Sequence, residues 1–354
     1  MPSSYITLTY VWCDAFNSLR SKTKVLYDDA LKYNSDKTVD MSSVPDWVYD
    51  GSSCGQAQGF ASDIMIKPRF ICKDPFTNRE SAYLVMCDTY NPDGSPHVTN
   101  KRYECAQIEE KAKEFETIFG IEQEYFVYDA DTNLPYGWKS KNLVSDLHGN
   151  EQGPYYCAVG GNNVSARHIM DEHLECCMAA GLHIRGTNLE VALGQLEYQI
   201  GELNATAMGD ELWMSRYILG RVCEKYNCYP NYHPKLFEFV NGSGAHTNFS
   251  TKQMREDGGL KYIHEGCDKL REKHAEHIAV YGDVQTNALR LTGLHETSSM
   301  DTFSFEVSDR GKSCRIPLHV AKAGKGYCED RRPPSNICPY VVTARIIKTV
   351  CLDM

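Results

Sequence analysis

Ile121-Glu122-Gln123-Glu124-Tyr125-Phe126-Val127-Tyr128 forms one continuous segment in the first half of this chain. Its alternation and its aromatic and β-branched residues are typical of a β-strand. Residues two apart in a strand share a face, so Glu122 and Glu124 lie side by side while Gln123 points into the core. Taken alone, such a pair is more often a solvated outer face. Flanked by bulky apolar residues, it favours a divalent cation that offsets the repulsion.

A second pair of acids follows the same pattern. Residues 187–193 and 195–200 both alternate, with a turn at Gly194-Gln195 between them. We therefore predict a β-hairpin, with Glu190 and Glu197 on its polar face. The opposite face is apolar and forms a plausible core.

Two later segments add ligands of the same chemistry. In residues 241–249, His246 and Asn248 share a face after a flexible Gly-Ser-Gly approach. Glu329 stands close to the two arginines Arg331 and Arg332. The combined set of carboxylates and one imidazole predicts a divalent-cation site on one sheet.

Arginines near turns concentrate in the C-terminal third of the chain. Taken singly, each of Arg290, Arg310, Arg315 and Arg331 fits a solvated surface. Divalent metal, several carboxylates and several arginines together are what phosphoryl transfer requires. Arginine also forks bidentately onto carboxylates, so one of them could bind an acidic substrate.

Glycine motifs for nucleotide binding are incomplete. Gly311-Lys312-Ser313 resembles part of a phosphate loop, but Glu306 occupies the position where that loop needs its first glycine. If a nucleotide is used, we expect metal and arginine to hold it.

Composition narrows the class of protein. The 354 residues carry a formal net charge of −10, which argues against nucleic acid or an anionic membrane as the main partner. The fifteen cysteines show no CxxC pair, and many lie in apolar periodic runs, as small hydrophobes do. No apolar stretch is long enough to span a bilayer. We therefore expect a cytoplasmic protein in a reducing compartment.

The pattern along the chain predicts two domains, residues 1–98 and 99–354, separated by a dense turn cluster at 91–96. Strands are predicted at 5–12, 63–70 and 83–90, in a β-rich first domain. Helices are predicted from Cys105 to Phe119 and at 165–180, 209–226 and 260–280. The polar stretch from Asp129 to Gln152 is predicted to be a loop.

Several of these motifs, taken together and in order, resemble the eukaryotic-type branch of the glutamine synthetase family. The motifs are Trp47-Val48-Tyr49-Asp50-Gly51-Ser52-Ser53, Ile121-Glu122-Gln123-Glu124-Tyr125, Gly153-Pro154-Tyr155-Tyr156-Cys157, Gly186-Thr187-Asn188, Met208-Gly209-Asp210, His246-Thr247-Asn248-Phe249-Ser250-Thr251, Arg290 to Thr297 and Glu329-Asp330-Arg331-Arg332-Pro333. They extend from about residue 10 to the end of the chain.

The resemblance implies ATP-dependent ligation of L-glutamate and ammonia to L-glutamine through a γ-glutamyl phosphate. It implies an α+β fold, in which an N-terminal β-grasp domain precedes a larger catalytic domain built on an antiparallel sheet. Two or three Mg²⁺ or Mn²⁺ ions per site are expected, with ATP as co-substrate. The assembly expected is a homo-oligomer, a decamer of two pentameric rings with active sites between subunits.

The resemblance also implies roles for individual residues. One metal ion is expected at Glu124, Glu190 and Glu197, and the other at Glu122, His246 and Glu329. Glutamate is expected at Asn241, Gly242, Arg290 and Arg331, and ATP at Asn248, Ser250, Arg310, Arg315 and Tyr327. The catalytic residues expected are Asp50, which takes a proton from ammonium, Glu296, which closes over the intermediate, and Arg310.

One departure from the family pattern leaves alternatives open. Phe237-Glu238-Phe239-Val240 replaces the usual Pro-Gly-Asp/Asn-Trp stretch near the glutamate. The change motivates a γ-glutamyl ligase that uses an amine larger than ammonia. A non-catalytic structural relative is a further alternative, although a scaffold has no reason to keep six metal ligands.

Overall fold

The computed structural model describes residues 5–27, 30–139 and 153–354. These residues form a five-stranded sheet near the N-terminus and a larger, nine-stranded sheet on which helices pack. The mixture of helices and largely antiparallel strands in the larger part confirms the predicted α+β class.

The five-stranded sheet has the spatial order β2-β1-β5-β4-β3. Its strands are β1 (Tyr5–Cys13), β2 (Leu19–Tyr27), β3 (Trp47–Asp50), β4 (Asp63–Lys73) and β5 (Ala82–Tyr90). The central strands β1 and β5 run parallel, and the other neighbours are antiparallel. This mixed order agrees with the β-grasp arrangement expected, and the three strands predicted near the N-terminus are present.

The central strands β1 and β5 of the five-stranded sheet are buried on both faces. On β5, Tyr83 and Val85 face a core of the sheet's own, whereas Leu84 and Met86 belong to the core of the larger part. A strand covered on both faces reads as a continuous apolar run. The predicted boundary at residues 98 and 99 falls between β5 and the first helix, and it stays a prediction.

The nine-stranded sheet has the order β12-β13-β14-β11-β6-β9-β8, with β7 and β10 also paired to β6. Its strands are β6 (Ile118–Asp129), β7 (Leu134–Pro135), β8 (Ile184–Leu189), β9 (Gln195–Leu203), β10 (Cys228–Asn231), β11 (Ala245–Ser250), β12 (Phe305–Val307), β13 (Cys314–Ile316) and β14 (Cys328–Asp330). Only β12 and β13 pair in parallel among these strands. Strand β7 falls within the predicted loop 129–152, of which residues 140–152 lie outside the described residues.

Helices cover the sheets, and the long helix α3 lies at the centre of their packing. The helices are α1 (Lys101–Lys111), α2 (Arg167–Ala180), α3 (Ala205–Lys225), α4 (Lys252–Arg255), α5 (Leu260–Glu272), α6 (His274–Ile278), α7 (Val284–Arg290), α8 (Leu318–Ala323) and α9 (Pro339–Val350). Helix α3 packs against α2, α9, β6 and β9. It therefore supports the central strands of the larger sheet from behind.

Two helix predictions need correction. The helix predicted to reach Phe119 ends at Lys111 and is followed by a 3-10 turn over Lys113–Phe115; Glu116, in the left-handed conformation, ends that turn, and Phe119 already lies in β6. Its ring packs 5.2 Å from that of Phe249 on the neighbouring strand. The helix predicted over 260–280 breaks at Lys273 into α5 and α6. Helix α2 ends as predicted, with Gly181 in the left-handed conformation.

We predict opposite effects for alanine at two glycines of α3. A Cβ at Gly209 would lie 2.2 Å from ring atoms of Tyr340, whereas a Cβ at Gly220 meets nothing within 4 Å. Gly209→Ala should lower the free energy of unfolding by about 1–3 kcal/mol through overpacking. Gly220→Ala should raise it by up to about 1 kcal/mol through helix propensity. Chemical denaturation of both variants checks the pair, and equal effects would contradict the packing described.

Candidate active site

Strand β6 places Glu122 and Glu124 at the centre of the larger sheet. Antiparallel pairing sets Glu122 opposite His246 of β11 and Glu124 opposite Glu197 of β9. Directly opposed residues in neighbouring strands have their side chains on the same face. The pairing register therefore gathers these four side chains on one surface. Gln123 is fully buried on the other side, as predicted.

Two compact groups of potential metal ligands form on this surface. They are Glu122, His246 and Glu329, and Glu124, Glu190 and Glu197. Within each group, one potential ligand atom of each residue lies within 4.8 Å of the others. Carboxylate oxygens, with one imidazole nitrogen, are donors that Mg²⁺ and Mn²⁺ accept. The structure brings together all six side chains that the sequence predicts as ligands.

Glu190 lies in the turn between β8 and β9. The strand predicted at residues 187–193 is therefore too long, because β8 ends at Leu189. The Val191 N–H donates to Glu190 Oε2 at 3.0 Å and is therefore not available to a neighbouring strand. Asn188 Nδ2 donates to Glu190 Oε1 at 2.9 Å. Gln199 in turn donates to Asn188 Oδ1 at 2.8 Å and to the Glu197 carboxylate. Amide side chains thus orient both acids of the hairpin.

Gly244 allows the chain to approach Glu124 closely. Its backbone N–H donates to Glu124 Oε2 at 2.6 Å. A Cβ at this position would lie 2.6 Å from both His246 Nε2 and Arg290 Nη2. Only glycine permits this approach, which explains the flexible segment before His246.

The second ligand group is electrostatically unfavourable without a cation. Burial, the largest cause, raises the pKa values of Glu124, Glu190 and Glu197. Neighbouring carboxylates raise the pKa values of Glu124 and Glu197 further. In contrast, burial and the nearby Arg331 lower the pKa of His246 well below its usual range. His246 is therefore a neutral imidazole, which is the form that binds metals.

Guanidinium groups border the first ligand group. Arg331 Nη1 donates to Glu329 Oε1 at 2.7 Å, and Arg315 also bonds to this carboxylate. Arg290 Nη2 lies 3.0 Å from His246 Nε2. Burial lowers the pKa of Arg290 to about 10, so its guanidinium remains charged at neutral pH. The arginine side chains that the sequence predicts near the site thus border the acidic groups.

Two adjoining cavities of about 360 Å³ each contain most of the predicted site residues. The first is lined by the ligand residues Glu122, Glu124, Glu190, Glu197 and His246, and by Asn241, Gly242, Arg290, Glu296, Arg310, Arg315 and Arg331. The second is lined by Asn248, Ser250 and Tyr327. Glu122 and Gln199 line both, so the cavities meet beside the ligand groups.

Two predicted site residues, Glu329 and Asp50, line neither cavity; Glu329 still belongs to the first ligand group, whereas Asp50 lies apart from both groups. Asp50 ends β3 in the five-stranded sheet and is exposed. Ser52 and Ser53 hydroxyls donate to its carboxylate at 2.7 and 3.0 Å. These hydrogen bonds lower its pKa to about 2, so the carboxylate is ionised at neutral pH.

Comparison with known proteins agrees with this geometry. The family model for the glutamine synthetase catalytic domain matches residues 99–352. The chain is 47% identical to a glutamine synthetase of Tuber borchii over 347 residues, covering 98% of this chain and 92% of that protein. The chain belongs to the glutamine synthetase family. A glutamine synthetase of Agaricus bisporus is 46% identical over 349 residues, covering 98% and 94% of the two chains. The family and enzyme class predicted from the motifs are confirmed.

Several residues that line the cavities were missed as site residues. Asn188 and Gln199 lie on the polar face of the predicted hairpin, so alternation could have identified them. Arg185 and Arg255 line the second cavity beside Ser250, to whose hydroxyl Arg255 Nη1 donates at 3.0 Å. Nothing in their local sequence distinguishes these two arginines from surface residues.

The segment that departs from the glutamine synthetase pattern packs away from the site. The rings of Trp138 and Phe237 stack 4.7 Å apart, and Phe239 lies 5.7 Å from Phe237. Val240 is buried in the same cluster. None of residues 237–240 is among those that line the two cavities. The departure therefore changes the support of the Asn241 loop rather than the cavity wall.

We predict that metal binding releases protons and strengthens as the pH rises. The raised pKa values mean that the folded, metal-free chain holds protons that the unfolded chain releases. Metal-free stability should therefore fall as the pH rises above the usual carboxyl range, while a cation replaces those protons. Calorimetric titration with Mn²⁺ in two buffers of different ionisation enthalpy measures the release.

The control variant is Glu110→Gln, which alters an exposed glutamate of α1. It should release as many protons as the wild type. Mn²⁺ binding without proton release at neutral pH would show that the buried acids are already ionised.

Proposed function

We propose that this protein joins L-glutamate and ammonia to form L-glutamine, using ATP and a γ-glutamyl phosphate intermediate. The observation that carries the proposal is the pair of ligand groups on one sheet face, inside a cavity lined by four arginines. A phosphoryl group needs charge neutralisation and alignment on all sides, and this arrangement offers both. Membership of the glutamine synthetase family supports the choice of substrates.

Divalent metals fit the two groups. One ion would be held by Glu124, Glu190 and Glu197, and the other by Glu122, His246 and Glu329. When bound, Mg²⁺ or Mn²⁺ neutralises phosphate oxygens and polarises the transferring group. The raised pKa values of Glu124, Glu190 and Glu197 suit a cation in their group, and the neutral imidazole of His246 suits one in the other group. We expect two or three ions per site.

The substrates would occupy the two adjoining cavities. Glutamate would bind at Asn241 and Gly242, with its carboxylates paired to Arg290 and Arg331, because guanidinium forks match carboxylates. ATP would lie against Asn248, Ser250 and Tyr327 in the second cavity, with its phosphates reaching Arg310 and Arg315 in the first. The Glu122 boundary between the cavities is where the γ-phosphate would meet the glutamate.

Three residues would act on the reacting groups. Asp50, kept ionised by its serines, would take a proton from ammonium so that ammonia can attack. Arg310 would stabilise charge on the transferring phosphoryl group. Glu296 would close over the intermediate and exclude water. Glu296 and the preceding His295 both have positive φ values, 60° and 50°, a strained conformation common in segments that move at active sites.

Assembly would complete the active site. Asp50 lines neither cavity of its own chain, so a neighbouring subunit would supply it. We propose a cytoplasmic homo-oligomer, a decamer of two pentameric rings. None of the helices in the described ranges is long and apolar enough to cross a membrane.

The alternatives have less support. A ligase for a larger amine was motivated by residues 237–240, which pack into an aromatic cluster rather than line the cavity. A non-catalytic relative would have no physical reason to hold six polar side chains in two compact groups. Hydrogen bonds from Asn188 and Gly244 orient the carboxylates of Glu190 and Glu124, and this favours a protein that is catalytically active.

We predict that phosphate release from ATP requires glutamate, ammonium and Mg²⁺ together. Glu124→Gln keeps the shape of the side chain and removes its charge. It should lower turnover by more than about 100-fold, beyond the loss typical of outer-shell changes. A coupled phosphate assay with quantified glutamine checks both statements. Turnover that needs a polyamine and ignores ammonium would contradict the proposed substrate.

We predict that active sites shared between subunits show complementation. Asp50→Ala and Glu124→Gln should each be inactive as homo-oligomers. Co-expressed in equal amounts, they should give about a quarter of wild-type activity, because random assembly combines two intact halves at one site in four. Activity of purified mixed oligomers is the measurement. Inactive mixed oligomers would place Asp50 and Glu124 of the same chain in one site.

A further inference from the structure

Gln123 lies between the two ligand glutamates of β6 and points the opposite way. It is fully buried. Its carboxamide oxygen accepts hydrogen bonds from Arg216 Nε at 3.0 Å and Nη2 at 2.6 Å. Its nitrogen donates to Ser335 Oγ at 2.9 Å and to the Glu124 carbonyl at 2.8 Å. Gln123 thus ties the backbone between the two ligand groups to α3 and to the segment after β14.

Arg216 is a buried cation held by neutral groups. It is 4% exposed. Its Nη1 donates to the Ile337 carbonyl at 2.8 Å, and its Nη2 to the Ser335 carbonyl at 2.9 Å. Its guanidinium carbon lies 4.8 and 5.1 Å from the ring centroids of Trp213 and Tyr232. No ion pair of the described part of the chain includes Arg216. The planar guanidinium of Arg216, rather than a salt bridge, therefore fixes the relative positions of the groups to which it donates hydrogen bonds.

Ser335 connects the ligand-bearing segments. Its hydroxyl donates to the Glu124 carbonyl at 2.5 Å, and its N–H donates to the Ser243 carbonyl at 3.0 Å. Ser243 is three residues before His246, and Ser335 is six residues after Glu329. The strand β6, the approach to β11 and the exit from β14 are therefore joined at one buried point.

We propose that Arg216 is a positioning residue that, through Gln123 and Ser335, fixes the separation of the two metal ions. Glu122 and Glu124 belong to different ligand groups, so any shift of β6 against the other segments changes both groups at once. Supporting hydrogen bonds around metal ligands tune the affinity of the site for its metal. The inference rests on the proposed function, because it assumes two ions at these groups.

The test is Arg216→Lys, which keeps the charge but cannot form the fork onto Gln123 and the two carbonyls. Mn²⁺ binding, followed by electron paramagnetic resonance, should be weakened by about 10–100-fold. The magnetic coupling between the two bound Mn²⁺ ions should also change, because it depends on their separation. Ser335→Ala removes only the hydroxyl and should shift both quantities in the same direction by less. It keeps the test valid if Arg216→Lys does not fold.

Arg102→Lys is the matched control. Arg102 makes a bidentate bridge to Asp210, which like Arg216 lies on α3, with distances of 2.7 and 2.8 Å. Within the described residues it bonds to none of the ligand-bearing segments. It should lose stability as Arg216→Lys does, with Mn²⁺ affinity and coupling unchanged. Wild-type binding and coupling in both site variants, or equal changes in the control, would overturn the inference. Failure of the wild type to bind an Mn²⁺ pair would instead overturn the proposed function.

Discussion

Several carboxylates approach one another on one face of the larger sheet, where like charges repel. Five glutamates converge there, three of them in a group whose pKa values are raised by burial. Holding such charges in place needs a rigid frame, because free side chains would separate. The strand pairing, the close approach at Gly244 and the buried network behind Gln123 all supply that rigidity.

The two ligand groups meet this constraint in different ways. Around Glu329, two guanidinium groups already compensate the negative charge. Around Glu190 and Glu197, the hydrogen-bond donors seen in the described part of the chain are two amide side chains and one backbone N–H, none of which carries a compensating charge. We infer that the second group depends more strongly on metal.

The sequence predicts what depends on local periodicity, and it fails where distant segments decide. Alternation placed Glu122 and Glu124 on one face and Gln123 in the core, because a period of two leaves no other choice. It could not predict that Glu197 pairs with Glu124, since register depends on contacts across the sheet. The predictions that α1 extends to Phe119 and that Glu190 lies in a strand were both wrong. In the first case tertiary packing overrides the local pattern, and in the second a hydrogen bond to a carboxylate does. Roles of single residues such as Asp50 came from the resemblance alone.

Strand β5 is buried on both faces, and this burial affects how the protein unfolds. Leu84 and Met86 of β5 lie in the same core as α3 and the strands of the larger sheet. Removing the first ninety residues would expose that core to water, a change that hydrophobic burial opposes. The predicted domain boundary in the sequence therefore does not separate two units that unfold independently. We expect both parts to melt in one transition.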